Sequence, residues 1–273
     1  MKEIIKEILE QHKIWLDSHG KEGKRAILRN MHMIGFDLKK VDLRNADLSY
    51  AFLNNADLSD ADLIGANLYN ANLRDANLTN ARLNHASLND ADLNNANLSD
   101  ADLSLADLKG ANLHNADLSG ANLYHANLKG ANLNNADLRE TDLSDANLND
   151  AYIVYANLSD ADLTNADLSD ADLTNADLSG ADLRDTKLAR TILPEGTFII
   201  LGEKYFISIC GDNVRVDCKV HSASEWRQFS MQDISKLYRL STEKFYSRLL
   251  DIIDLYCGKG ERPEWLKKKE QNN

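Results

Sequence analysis

Proline is nearly missing from this chain. Its two prolines, Pro194 and Pro263, both lie outside the patterned stretch described below, where a missing N–H does least damage. Cysteine is as scarce: Cys210, Cys218 and Cys257 are odd in number and make no disulfide framework. No run of 18 apolar residues occurs, which argues against a membrane span. The charged N-terminus lacks the apolar stretch of a secretory signal, so we expect a soluble, cytoplasmic protein with no membrane partner. Basic residues are outnumbered, 31 Lys and Arg against 43 Asp and Glu, and the deficit is uneven. Residues 1–25 and 191–273 each sum to +1, whereas the stretch between them carries 26 acids and 12 bases, or −14. Partners of that stretch should be basic, and direct nucleic-acid binding is not expected.

What the chain does have is a repeat. From Ala26 to Leu193 it keeps one five-residue register with no insertion or deletion, and all but two of the 34 central residues are Leu, the exceptions being Met33 and Ile153. Two positions earlier, 28 of 34 residues are Ala, so the unit reads Ala-(Asp/Asn)-Leu-x-x, as in Ala46-Asp47-Leu48-Ser49-Tyr50. On an α-helix the Leu would drift by about 140° per repeat, and on a flat strand an odd period would flip them between faces. The pattern works only if every repeat contains a corner, with Ala and Leu inward and the other three residues outward. The chain must therefore coil into a solenoid whose turns stack at β-sheet spacing around a column of Leu.

These Ala-(Asp/Asn)-Leu-x-x units closely resemble the pentapeptide repeat family over roughly 60% of the chain. The resemblance implies an all-β solenoid, a right-handed quadrilateral β-helix with four pentapeptides per coil. At that ratio 34 repeats give about 8.5 coils and a rod of about 40 Å. It also implies a partner class, because bacterial quinolone-resistance members of the family are understood to bind type II topoisomerases as DNA mimics. Those members typically carry loops between coils or a short C-terminal helical dimerisation module. Here the coils are unbroken and a segment of about 80 residues follows them.

With four repeats per coil, the outward charges sort by face. The face centred on Leu38, Leu58 and onward to Leu178 carries nine acids and three bases, with Asp57, Asp60, Asp100, Asp117, Asp137, Asp160 and Asp177 among the acids. The next face, Leu43 to Leu183, carries eight acids and three bases, with Asp62, Asp102, Asp142, Asp145, Asp162 and Asp182 among them. The other two faces together hold nine acids and six bases. We take the thirteen named aspartates as the candidate partner-binding set. Duplex DNA carries about one charge per 1.7 Å, and the rod about one net charge per 3 Å, most of it on one side. Asp and Asn are also the family's usual residues here, where they keep a rod soluble and support its turns. Tyr152, Val154 and Tyr155 break the polar pattern on a less acidic face and form a candidate apolar contact.

The ends are read separately. Ile4, Ile5, Ile8, Leu9, Trp15 and Leu16 follow helical spacing up to Gly20, and residues 1–25 are expected to cap the first coil. Met31, Phe36 and Val41 replace Ala there, suggesting a wider interior. Residues 26–193 form the repeat, and 194–273 a small α+β domain. In that domain Thr197–Leu201 and Tyr205–Ile209 flank Gly202-Glu203 as a hairpin, and Val214 to Val220 alternates as a strand. Ser222-Ala223-Ser224-Glu225 is a capping box. Phe245, Leu249, Ile252, Ile253 and Tyr256 mark a last amphipathic helix ended by Gly258. The segment resembles, without a specific motif, tails of phage and prophage pentapeptide repeat proteins. Cys210, Cys218 and His221 lack a fourth metal ligand and are read as ordinary side chains.

No nucleophile, base and acid stand together, so we expect no enzyme and no cofactor. The reading is a non-enzymatic interaction protein, an acidic rod that mimics DNA toward a DNA-binding protein, either gyrase or a host defence nuclease. The alternative is a rigid spacer whose C-terminal domain binds the partner. The Tyr152 cluster and the apolar face of the last helix are both candidate homodimer contacts.

Overall fold

The structure, a computed structural model, describes residues 2–200, 205–217, 219–237 and 243–263. The chain divides into two compact units, Met1–Pro194 and Glu195–Asn273.

In the first unit, the residue before each central Leu pairs in parallel with the residue twenty positions on, from Ile27↔Asp47 to Asp172↔Ile192. Twenty residues are four pentapeptides, so each coil has four sides. The solenoid is a right-handed quadrilateral β-helix. Its regularity follows from a complete accounting of backbone donors, because an unpaired N–H in such a stack is costly. Leu43 N–H reaches Asp62 O in the next coil at 2.7 Å, Asn45 N–H reaches Ile64 O at 2.9 Å, and Asp62 N–H reaches back to Val41 O at 2.9 Å. Ala46 N–H closes the corner on Leu43 O at 2.9 Å. The fifth donor, Arg44 N–H, has no backbone partner and takes Asp42 Oδ1 at 3.2 Å. All five N–H groups of a pentapeptide are thus bonded, one of them only because Asp or Asn precedes the Leu.

Each corner is a turn whose third residue has positive φ, as at Asn45 (59°) and Asp60 (58°). That conformation is why Asn, Asp and Gly crowd this position. Inside, Ala and Leu are almost wholly excluded from water along the rod. Each Leu contributes roughly 1.5–3 kcal/mol of gross stabilisation, largely offset by chain entropy. Thr141, the one mid-rod substitution for Ala, is buried and donates its hydroxyl to Leu118 O at 3.0 Å.

Helix α1 (Lys2–Asp17) covers the first coil. Ile5 is buried, and the fully buried His12 accepts the Ala26 N–H through Nδ1 at 3.0 Å while stacking on Trp15. Gly23 is required where the chain turns back, since a Cβ there would lie 2.4 Å from Gln11 O. Met31, Phe36 and Val41 are half-buried in this coil, which has no coil beneath it to fill the space that Ala leaves.

The second unit is an antiparallel meander of β1 (Thr197–Ile200), β2 (Ile207–Cys210), β3 (Asn213–Val216) and β4 (Lys219–Ser222), in that order. Helices α2 (Ala223–Gln228), α3 (Met231–Leu237) and α4 (Glu243–Tyr256) follow. Ser222 caps α2, with the reciprocal bond from its own N–H to Glu225. The core joins Ile207, Ile209, Val214 and Val216 to Trp226, Tyr246, Leu249, Leu250 and Ile253. Trp226 donates its indole N–H to Val214 O at 2.9 Å, and Tyr246 donates its hydroxyl to Trp226 O. Burial holds that phenol well above its ordinary pKa.

Three readings of this region are corrected. The alternating run Val214–Val220 is not one strand but two, folded back at Asp217, whose φ of 53° makes a tight turn that pairs Val216 with Lys219. The second strand of the first hairpin begins at Ile207 rather than Tyr205. On α4 the buried stripe is Tyr246, Leu249, Leu250 and Ile253, while Tyr256 is exposed. Residues 201–204 and Cys218 lie outside the described residues, so the Gly202-Glu203 turn and the Cys218 thiol do too. His221 stands edge-on to Trp226 and Phe229, and Cys210 contacts Thr197 Oγ1. Among the described residues no cluster of metal-binding side chains occurs.

Candidate acidic interaction surface

The candidate aspartates occupy two kinds of position, each dictated by the coil. The residue before Leu projects from the middle of a face, and the positive-φ residue projects from the corner between faces. Where the Leu38 and Leu43 faces meet, the corner column reads Lys40, Asp60, Asn80, Asp100, Gly120, Glu140, Asp160 and Gly180. Asp60, Asp100, Glu140 and Asp160 are exposed and form a carboxylate ridge. Gly120 leaves a notch in it, lined by Asp100, Ser119, Arg139 and Glu140. Asp57, Asp117, Asp137 and Asp177 run down the middle of the flank on one side. Asp62, Asp102, Asp142, Asp162 and Asp182 run down the other. Asp145 stands apart on the far corner of the Leu43 face, with its carboxylate 4.0 Å from His125 Nε2.

The mid-face aspartates all do a second job. Each turns one carboxylate oxygen onto the backbone N–H two residues on, as in Asp102 from Ser104 (3.1 Å), Asp117 from Ser119 (3.0 Å) and Asp177 from Ser179 (2.8 Å). Asn makes the same bond, as at Asn77 to Thr79 (3.2 Å). The turn therefore requires Asp or Asn and does not choose between them.

Stacking does discriminate. In seven of the nine places where Asn sits above Asp or Asn, its amide donates to the oxygen one coil back, as in Asn112 to Asp92 (3.0 Å) and Asn132 to Asn112 (3.1 Å). Where Asp sits above Asp, in Asp37↔Asp57, Asp42↔Asp62, Asp117↔Asp137 and Asp142↔Asp162↔Asp182, that bond is lost and like charges face each other at sheet spacing of about 4.8 Å.

Arginines neutralise only part of this surface. Arg139 grips Asp137 (2.6 Å), Arg184 grips the buried Asp182 (2.8 Å), and Arg82 reaches Asp62 (2.8 Å). The hydrogen bonds from Arg139 hold the Asp137 carboxyl below its usual range. Asp100, Asp160, Asp162 and Asp177 are exposed and, among the described residues, form no ion pair, so their charge faces outward.

Tyr152 and Tyr155 are 56% and 63% exposed, with Val154 half-buried between them on the Met33 face. Among the exposed apolar residues missed in the sequence is Leu105, held at a positive φ of 59° on the Leu43 face beside Tyr124. Its sign was an apolar residue at a corner position that mostly holds Asn, Asp or Gly.

A stacked four-sided β-helix with this unit defines a class of protein, and comparison with known proteins agrees. The pentapeptide repeats model matches in eight copies, over residues 24–60, 37–75, 56–95, 76–115, 86–123, 116–153 and 156–193. The chain belongs to the pentapeptide repeat family. It is similar to HetL, a pentapeptide repeat protein involved in heterocyst differentiation regulation from the cyanobacterium Nostoc sp. strain PCC 7120. There the identity is 29% over 67% of this chain and 95% of that one, with a TM-score of 0.29. It is also similar to full-length QnrB1, a plasmid-mediated fluoroquinolone resistance protein, at 21% identity over 59% and 91% of the two chains, TM-score 0.29. A pentapeptide repeat protein from the Arabidopsis thaliana thylakoid lumen is 31% identical over 42% and 69%, TM-score 0.18. No curated protein matches significantly. Among the described residues, no helix is long and apolar enough to cross a membrane.

Proposed function

We propose that the rod is a non-enzymatic interaction module whose acidic ridge and flanks occupy the DNA-binding surface of a protein partner. Type II topoisomerases such as gyrase are the first candidates, as the family resemblance implies, and a host defence nuclease presents the same basic chemistry. The observation that carries this reading is the stacking of Asp on Asp at 117–137 and 142–162–182. Turn geometry is equally served by Asn, and the ladder favours Asn. Carboxylates at these positions therefore cost the rod stability, and a basic partner surface is what would use them.

The test is a gyrase supercoiling assay with the full-length protein, repeated at rising salt. Mimicry predicts inhibition that weakens with salt, as a surface made of charge contacts must. A variant carrying Asp117→Asn, Asp142→Asn, Asp162→Asn and Asp177→Asn keeps every turn bond, and it should lose inhibition while its circular dichroism is unchanged. Inhibition at the wild-type level by that variant sinks the reading. The spacer reading rests on a different observation, a C-terminal unit with its own core. It predicts that the same four-site variant still captures its partner, through residues 195–273.

A further inference from the structure

The corners of the rod mostly hold Asn, Asp or Gly, whose short polar side chain or missing Cβ suits a positive φ. Among the described residues Leu105 is the only aliphatic residue held there, and it is 47% exposed. Its N–H donates to Tyr124 O in the next coil at 2.9 Å, which sets it beside Tyr124, itself 40% exposed. The Tyr124 ring in turn lies on His125, with centroids 4.1 Å apart. A leucine in a conformation that leucine disfavours, with half its side chain in water, gives the rod nothing that Asn would not give better.

Two other exposed apolar residues, Tyr50 and Tyr155, occupy corners of the same kind, but both lie on the less acidic faces. Leu105 is on the Leu43 face, where eight acids stand against three bases. The mid-face positions flanking its corner are Asp102 on that face and Asp107 on the next, and Asp145 follows two coils on at the same corner. An apolar point is thus set among carboxylates. A DNA duplex has the same make-up in cross-section, charged strands on either side of an apolar stack of bases. Proteins that bind it hold the phosphates with Lys and Arg, and many also lay an apolar side chain on a thymine methyl or between base steps. Carboxylates alone answer only the first of these demands.

We propose that Leu105, with Tyr124, is the apolar centre of the acidic interface, and that its occupant is an apolar base-contacting side chain on the DNA-binding surface of the partner. Asp102 and Asp107 then face the basic residues beside that side chain. This inference rests on the mimicry reading above and adds what a regular column of charge lacks, a fixed point that sets where along the rod the partner sits. The two parts of the surface have different kinetic duties. Rim carboxylates attract the partner from a distance and set the rate of encounter, whereas a desolvated apolar centre sets how long the complex lasts.

The experiment is surface plasmon resonance of the full-length chain on immobilised gyrase at two salt concentrations, with three variants. Leu105→Asn installs a residue that many corners hold, so its thermal midpoint should not fall below that of the wild type. It should weaken binding at least about tenfold, through faster dissociation, and keep the salt dependence. The four-site aspartate variant should associate more slowly and lose that dependence. Tyr50→Asn makes the same kind of change at a corner away from the acidic side and should leave both rates as in wild type. A wild-type chain that does not bind overturns the gyrase reading and this inference with it. If the four-site variant loses binding while Leu105→Asn binds as wild type does, this inference alone is overturned and the reading stands. Equal weakening by Tyr50→Asn and Leu105→Asn also overturns it, as does loss in Leu105→Asn with the four-site variant unaffected.

Discussion

The rod and the C-terminal unit reach a dry core by opposite routes. In the rod every pentapeptide repeats the same four backbone–backbone bonds and one bond from a backbone N–H to an Asp or Asn side chain, and the core is a column in which one Leu is interchangeable with the next. In the C-terminal unit each core residue has a partner of its own. Trp226 is tied to Val214 O, Tyr246 to Trp226 O, and Arg227 to Asp254 at 3.0 Å, with Arg262 on the same carboxylate at 2.9 Å. A periodic core tolerates removal of whole periods, while an aperiodic one does not. In the rod, fold and function are therefore separable: the Leu column holds the coils, and which face a residue occupies decides what it can bind.

The largest expected effect tests that separation. Removing residues 213–217 deletes β3, the strand bonded to both β2 and β4, and should abolish the cooperative unfolding of the C-terminal unit. Removing five residues from the rod, 106–110, should leave its circular dichroism per residue and its melting transition close to wild type. Only one Leu and its roughly 1.5–3 kcal/mol of gross burial is lost, together with the entropy cost of ordering that repeat. It should nevertheless destroy the proposed acidic surface, since every later residue moves to the neighbouring face and Asp142 and Asp162 join the Leu38 column. Removing residues 106–125, a whole coil, restores the faces. Partner inhibition should be lost with five residues removed and retained with twenty. Equal behaviour of the two deletions would show that the faces do not carry recognition.

The same contrast explains what the sequence reveals. A strict period of five fixes which residues point inward, and the Leu column is legible without coordinates. The number of sides is not, because any closed coil satisfies the inward pattern. It entered through the family resemblance, and the pairing of Ile27 with Asp47 is what establishes it. The acidic faces follow once the number of sides is known. Hidden in the sequence was the reason for Asp and Asn before each Leu, since the orphan N–H appears only when the other four donors are assigned. In the C-terminal unit, Val214–Val220 alternates like a single strand, and only the left-handed Asp217 shows where it folds back. Tyr246 was missed because its neighbour Phe245 fits the helical spacing equally well.

A smaller effect is expected at the N-terminal end of the rod, where α1 covers the first coil. Burial holds the His12 pKa below its ordinary value, against the pull of the Asp42 charge and of the hydrogen bond to the Arg44 backbone, while the charges of Arg44 and Arg25 push the same way as burial. The folded state thus holds neutral His12 more tightly than the unfolded chain does. Its contribution is complete above the unfolded pKa and is lost as pH falls below that value. Protonated Nδ1 cannot accept the Ala26 N–H, and a buried donor left without a partner costs about 1–3 kcal/mol. Protection of the amides at Ala26 and the two coils above it, taken relative to intrinsic exchange at each pH, should therefore fall between about pH 7 and pH 5, with α1 loosening. His12→Gln offers an acceptor that does not titrate and should flatten the profile. A pH dependence that survives this substitution would place the titrating group elsewhere.

The smallest effect bears most directly on why the two acidic faces differ from the neutral ones. Asp162 lies between Asp142 and Asp182 in one stack. Asp162→Asn keeps the bond from Thr164 N–H, which is 2.9 Å in the wild-type chain. It removes the like-charge contacts on both sides and supplies an amide that can donate to Asp142, as Asn122 does to Asp102 at 3.4 Å. The rod should gain roughly 0.5 kcal/mol, read as a rise in thermal midpoint that shrinks with added salt. Asp107→Asn is the control, because Ser87 and Asn127 flank it and no carboxylate stacks on it. It should gain less. If Asp162→Asn is stabilising while weakening partner inhibition, the carboxylate is held in place by recognition against the preference of the fold. If it is destabilising, the stack serves the rod itself, and the difference between acidic and neutral faces ceases to be evidence for a partner.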